Sequence, residues 1–344
     1  MGRITIIGLG LIGGSIGLRL KAQIGDQLDV VGYDEVKRSL EEASKAGAID
    51  SKAKNLIDAV DGSEMVIIST PLLAMPEIMK SINPILKPGC VVTDTGSTKA
   101  QVMAWASNYL PQNINFVGGH PMAGKETSGI KHAEADLFEG ATYCICPSPT
   151  ASQRAIKMVE GLAEDLGAVT YFPDPSEHDS MVASISHLPI IVSSALMSLA
   201  SSSQSWAEIM RLASSGFVGA TRLASTDPSM SAGICTTNKE AISHWIDRLI
   251  EELQDYKTLL QSDGEKIREV FVHVKDVREN WILGKEDITQ KSNQQIPNIG
   301  QRMTDMFIGE ALSKRGQDFI DLYESKLKAS KEEEEPIYYP PLQE

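Results

Sequence analysis

Cysteine, aromatic side chains and positive charge are all scarce in this chain. Only four of its 344 residues are cysteine. Cys90, Cys144, Cys146 and Cys235 show no paired C-x-x-C spacing, so no zinc site of that kind and no other metal centre is expected. They form no dense disulfide framework either, and the expectation is free thiols in a reducing, cytoplasmic setting. Lysine and arginine number 32 against 46 acidic residues, a net charge of −14. That surplus removes the basic surface on which nonspecific nucleic-acid binding depends. Residues 331–344 hold one lysine and five glutamates, and the rest of the chain still carries −10. No run of 18 apolar residues occurs, and Gly8 breaks the N-terminal apolar stretch early. Neither a transmembrane helix nor a signal peptide is therefore expected.

Apolar residues are abundant, at 42% of the chain, enough for a substantial core. The length predicts about two domains. Through residue 172, short β-branched runs at 3–7, 29–33, 65–69, 90–94, 115–117, 142–146 and 168–171 alternate with amphipathic stretches such as 36–46 and 75–85. That alternation predicts βαβ units and a largely parallel sheet. Pro173-Asp174-Pro175-Ser176 breaks the pattern, and Ser176-x-x-Asp179 has the spacing of a helix cap. From there to about residue 283 only helices are expected. Thr237-Asn238-Lys239-Glu240 reads as a capping box opening a long helix. Its apolar positions Ile242, Ile246, Leu249, Leu253, Tyr256 and Leu260 step by four and three, a seam that needs a partner helix. That partner is either another helix of the same chain or a second subunit. The expected organisation is residues 1–172, 173–283, and a C-terminal extension 284–344 ending in an acidic tail.

Gly8-Leu9-Gly10-Leu11-Ile12-Gly13 lies between a predicted strand and a predicted helix. Gly8 permits the tight turn, Gly10 lets a pyrophosphate approach the backbone, and Gly13 allows close helix–strand packing. The helix start offers unpaired N–H groups to phosphates. Asp34 ends the second strand, 21 residues after Gly13, where a carboxylate accepts ribose hydroxyls. This favours NAD over NADP, although Lys37 and Arg38 stand close enough in sequence to accommodate a 2′-phosphate. The predicted fold is an α/β Rossmann-type dinucleotide-binding domain followed by an all-α helical domain. Ligands of open α/β sheets bind beyond the carboxyl ends of strands. That edge collects Ser69-Thr70-Pro71, then Asp94-Thr95-Gly96-Ser97-Thr98-Lys99, then Gly118-Gly119-His120-Pro121-Met122-Ala123-Gly124-Lys125-Glu126. Leu11, Ile12, Ser69, Thr70, Pro71 and Thr95 join the glycines and Asp34 as cofactor-site candidates.

His120, at a strand end beside the cofactor, is placed to act as a general base, since imidazole titrates near neutral pH. Ser97 could orient it or touch the same substrate hydroxyl. His187 opens a helix, and a helix-start hydrogen bond or a ligand contact fits it equally. His178, His244 and His273 fall on helical faces read as solvated. Arg222 sits among small and apolar residues. It reads as a buried arginine that either pairs with a buried carboxylate of the protein or awaits one on a ligand.

The ordered set of motifs resembles the prephenate dehydrogenase family, including its arogenate-using relatives. It comprises the glycine motif, Asp94-Thr95-Gly96-Ser97-Thr98-Lys99, Gly119-His120-Pro121-Met122-Ala123-Gly124, His178-Asp179, Ser186-His187-Leu188-Pro189 and Thr221-Arg222-Leu223-Ala224-x-x-Asp227-Pro228. It spans about residues 1–280. The resemblance implies NAD-dependent oxidative decarboxylation of prephenate to 4-hydroxyphenylpyruvate and CO2 in tyrosine biosynthesis, or of arogenate to tyrosine. By the same resemblance His120 is the base and Ser97 holds the substrate hydroxyl. Arg222 binds a substrate carboxylate, His187 contacts the side-chain end, Glu126 tunes binding or access, and Lys125 helps set substrate preference. A cytoplasmic homodimer joined through the helical domain is implied too. The last 60 or so residues do not resemble an ACT regulatory domain. A β-hydroxyacid dehydrogenase leaves the Gly-His-Pro-Met-Ala-Gly segment without a task. A dinucleotide-binding redox sensor needs neither His120 nor Arg222.

Overall fold

The computed structural model describes residues 2–291. Eight strands form one sheet: β1 (Gly2–Ile7), β2 (Leu28–Tyr33), β3 (Ser51–Lys52), β4 (Met65–Ile68), β5 (Val91–Asp94), β6 (Asn115–Pro121), β7 (Thr142–Pro147) and β8 (Val169–Tyr171). Their spatial order is β3-β2-β1-β4-β5-β6-β7-β8. Every pairing is parallel except β6 with β7. A parallel pair requires a long crossover, usually helical, whereas β6 and β7 are joined by loop and a single 3-10 turn, Ile130–His132. Two features depart from the sequence pattern: this reversal, and β3, which at two residues is too short to show a period.

The helices of this half are α1 (Leu11–Ile24), α2 (Lys37–Lys45), α3 (Leu56–Val60), α4 (Met75–Ile82), α5 (Ala100–Tyr109) and α6 (Gln153–Asp165). Strand alternation distributes the core to both faces of the sheet. Ile6, Val30, Ile67 and Val117 pack on one side with Ile16 and Leu20 of α1 and Val159 of α6. Ile7, Val31, Ile68 and Val92 pack on the other with Met79 of α4 and Val102 of α5. Each such side chain contributes about 1.5–3 kcal/mol by leaving water. Buried on both faces, the strands read as continuous apolar runs, as the Met65-Val66-Ile67-Ile68 stretch does.

After β8 the described chain is helical: α7 (Pro175–Val182), a π-helical turn (Ala183–His187), α8 (Leu188–Ser201), α9 (Trp206–Ile209), α10 (Ser215–Thr221), α11 (Pro228–Thr237), α12 (Lys239–Leu259) and α13 (Gly264–Lys291). Two cap expectations are corrected here. Asp174, not Ser176, caps α7: its carboxylate accepts the N–H groups of Ser176 (2.8 Å) and Glu177 (3.4 Å). No capping box opens α12: Thr237 ends α11 and its hydroxyl donates to the Gly233 carbonyl at 2.8 Å, while the Asn238 amide is drawn inward to the Asp179 carbonyl at 2.7 Å. The helical run Pro175–Ser201 contains an 18-residue window with a mean hydropathy of 1.7, long and apolar enough by length and composition to cross a membrane, contrary to expectation. Its first turns nevertheless carry buried His178 and Asp179, and Asp179 bonds to the start of α5. Those contacts tie its first turns to the sheet half, while Ile185 and Leu199 farther along it stand exposed. The acidic tail and most of the expected 284–344 extension lie outside the described residues.

Candidate active site

The glycine turn follows β1 as its sequence requires. Gly8 has φ +93°, and a Cβ there would stand 2.3 Å from the Ser69 carbonyl oxygen. A Cβ on Gly13 would meet the Gly8 carbonyl oxygen at 2.0 Å, so α1 is held close against β1. Gly10 has no neighbour within 4 Å of the same position and opens onto a cavity of about 550 Å³. The first N–H groups of α1 have no partner within the helix and face the same edge. Asp34 ends β2. Its Oδ2 accepts the Leu9 N–H at 2.7 Å and its Oδ1 the Val36 N–H at 2.8 Å. Each oxygen keeps a further lone pair for a ribose hydroxyl. An ungated glycine turn, a free helix start and a carboxylate on the neighbouring strand fit a dinucleotide. Asp34, Gly8 and Gly13 shape this region without lining the cavity.

The cavity runs along the carboxyl edge of the sheet and on to the helical half. Gly10, Leu11 and Ile12 line it after β1, and Ser69, Thr70 and Pro71 after β4. Thr95 and Ser97 follow β5, and Thr95 Oγ1 donates to Ser69 Oγ at 3.1 Å. His120, Lys125 and Glu126 come from β6 and its loop. The helical half adds Ser186, Ile190, Arg222 and Met230.

Two expectations are corrected. Arg222 is not buried among its small neighbours: its side chain is 59% exposed and forms an ion pair with Glu126 across the cavity mouth. Lys125 pairs with Glu134 at 2.5 Å. His187 does not line the cavity. It is buried, and its Nδ1 lies 3.2 Å from the Asn238 amide nitrogen. Burial pulls its pKa down to about 4, against the opposing pull of Asp179.

His178, read as solvated, is 1% exposed. Its Nε2 lies 2.9 Å from His120 Nδ1, and its Nδ1 lies 2.8 Å from Asp179 Oδ1. Asp179 also accepts the backbone N–H groups of Lys99 (2.6 Å) and Ala100 (2.9 Å), capping α5 from another element. Beneath them Lys99 and Asp94 form an ion pair with no solvent exposure. Lys99 Nζ also donates to the Gly119 carbonyl at 2.6 Å, and Asp94 Oδ1 accepts the Gly119 N–H at 3.1 Å. These contacts fix the backbone immediately before His120. Burial, with the His178, Lys99 and His187 side chains around it, holds His120 well below the ordinary histidine pKa. His120 is therefore neutral at pH 7. Counting turns from Asp174 would have found His178, since position 178 then falls on the buried face with Val182.

Residues 16–172 match the nucleotide-binding domain of prephenate dehydrogenase, and residues 174–273 match its dimerization domain. The chain belongs to the prephenate dehydrogenase family. The prephenate dehydrogenase of Bacillus subtilis is 35% identical over 286 residues, covering 81% of this chain and 76% of that protein. The cyclohexadienyl dehydrogenase of Zymomonas mobilis is 31% identical over 271 residues, covering 78% and 92%. Among solved structures, the prephenate dehydrogenase of A. aeolicus in complex with hydroxyphenyl propionate and NAD+ is similar at a TM-score of 0.72. It is 29% identical over 84% of this chain and 98% of that one. Synechocystis arogenate dehydrogenase is similar at a TM-score of 0.68 and 26% identity, over 81% and 99%. The family match supports the predicted Rossmann-type sheet followed by a helical domain.

Proposed function

We propose that this protein oxidatively decarboxylates prephenate to 4-hydroxyphenylpyruvate and CO2 with NAD+, in tyrosine biosynthesis. The observation that carries the reading is a neutral, cavity-facing His120 at the edge where the dinucleotide turn also opens. Bound NAD+ supplies the hydride acceptor for ring C4. The C4 hydroxyl proton passes to His120 Nε2, the ring nitrogen left free toward the cavity. Loss of the ring carboxylate as CO2 then leaves its electron pair in the ring, which becomes aromatic. The phenol oxygen recovers a proton, so the base takes one and returns one. Ser97 stands at the same wall to hold the hydroxyl. Arg222 matches a substrate carboxylate once it releases Glu126. Lys125 and Glu126 sit where the substrate side chain would enter, and His187 supports the site from behind.

Asp34 favours NAD, because a carboxylate repels the 2′-phosphate of NADP. A homodimer through the helical half is part of the reading. It is supported by the dimerization-domain match and by exposed apolar residues such as Leu199 and Leu253. Free, buried thiols at Cys90, Cys144 and Cys146 suit a cytoplasmic setting. The test is NADH formation with prephenate and with arogenate, each with NAD+ and NADP+. Prephenate with NAD+ is expected to react fastest, and no reduction in any of the four arms overturns the reading.

A further inference from the structure

Asp179 makes three contacts through its carboxylate: two from backbone N–H groups at the start of α5 and one from His178 Nδ1. An ionised carboxylate only accepts hydrogen bonds, so His178 Nδ1 must carry a proton. A neutral imidazole has one N–H, which leaves His178 Nε2 as an acceptor. The 2.9 Å contact to His120 then requires the proton on His120 Nδ1. His120 Nε2 is left with a bare lone pair, and His120 is the ring that borders the cavity. One carboxylate, anchored across two elements, thus determines which nitrogen of a histidine two hydrogen bonds away can accept a proton.

We propose that His178 and Asp179 are positioning residues that lock His120 in the tautomer with a bare Nε2 and share the charge it carries while it holds the substrate proton. The proposal rests on the assignment of His120 as base. The reaction removes a proton from an alcohol and restores one to a phenol, with no net proton released. A relay of this kind therefore needs no exit to solvent, and His178 is sealed on all sides. When His120 Nε2 takes the proton, the ring becomes an imidazolium. Its Nδ1–H then points at His178 Nε2, with the Asp179 carboxylate behind. His187, Lys99 and Asp94 also face this cluster, from the π-helical turn, the start of α5 and the end of β5. Lys99 is paired with Asp94, and His187 is turned toward Asn238.

The decisive experiment is 15N NMR of the histidine side chains in the full chain with NAD+ bound, run beside prephenate kinetics. The protein has six histidines, and His120→Asn identifies the His120 signals. In the wild type, His120 is expected to show a protonated Nδ1 and a bare Nε2. His178→Gln keeps an oxygen acceptor for His120 Nδ1, so the tautomer is retained and kcat falls modestly. His178→Leu removes the acceptor: His120 shifts toward the other tautomer and kcat falls by about 10²-fold or more, with the KM for prephenate little changed. NAD binding and far-UV spectra check that both variants fold. A protonated Nε2 in the wild type overturns the proposal, as does a His178→Leu variant with unaltered tautomer or unaltered kcat. A wild type that shows the expected tautomer but does not turn over prephenate or arogenate overturns the base assignment instead.

Discussion

In the sheet half Ile6, Ile67 and Val92 are wholly out of solvent, whereas in the helical half Leu199 stands 74% exposed and Leu212 86%. The first region buries both faces of its sheet, one of them with the help of Ile190, Ile234 and Ile242 from the helical half. The second presents apolar side chains outward, each with about 1.5–3 kcal/mol to gain from being covered. Two ion pairs at the site show a related contrast. Lys99 and Asp94 are sealed beneath β5 and β6, while Arg222 reaches over an open rim to Glu126. The first pair is thus held in one arrangement beneath His120, and the second stands where a ligand can exchange for a protein partner. The helical half also contributes buried His178 and Asp179 to the fixed part of the site.

The largest effect is expected where the fixed half performs the chemistry. His120→Asn lowers turnover with prephenate by about 10²–10⁴-fold and leaves NAD binding by fluorescence titration unchanged. Near-wild-type turnover would remove His120 from the base role and blur the contrast between the halves. Next comes the anchor beneath it. Lys99→Met leaves Asp94 charged and buried with only the Gly96 and Gly119 N–H groups, costing about 3–5 kcal/mol in urea unfolding. Adding Asp94→Asn should recover much of that loss. If Lys99→Met unfolds at the wild-type urea concentration, the ion pair is not what fixes the strand ends.

His187 tests the seam between the halves. Its pKa is lowered from 6.5 to about 4. The unfolded ring takes up a proton as pH falls below 6.5 while the native ring stays neutral. Stability present above that value is therefore lost toward pH 4, by up to about 3 kcal/mol for this residue. Urea unfolding at pH 7 and pH 4.5 should show a smaller difference for His187→Gln than for the wild type. Equal differences would mean that the ring is protonated, or free to move, in the native protein.

What the sequence made legible was local. Glycines that must turn and strands that must alternate are written in neighbouring residues, so β1, the glycine turn and the sheet edge with Ser97 and His120 could be read directly. The missing parts depend on contacts between distant segments. Thr237 looked like a cap because Glu240 follows it three residues on, but it ends α11, and the Asn238 amide beside it is claimed by Asp179, 59 positions away. His178 looked solvated because its helix was started two residues late. Arg222 looked buried because its neighbours are small, yet small residues also line surfaces where a second chain or a ligand packs. The antiparallel β7 was unreadable because its strand composition is that of any buried strand, and only the absence of a crossover helix distinguishes it.

Arg222 gives the smallest of the expected effects and the sharpest contrast with His120. In the proposed reaction its guanidinium exchanges Glu126 for a substrate carboxylate, so its contribution lies in binding. A charge-assisted hydrogen bond contributes about 1.5–3 kcal/mol. Arg222→Ala should therefore raise the KM for prephenate by about 10- to 100-fold, with kcat changed far less. Arg222→Lys keeps the charge but not the planar fork, and should fall between the two. The opposite pattern, a kcat loss at constant KM, would put Arg222 with the fixed chemistry of the sheet half. A change in melting temperature alone would make its pair with Glu126 a structural tie, and the substrate carboxylate would then have to be held by Lys125 or by the helix start at Gly10.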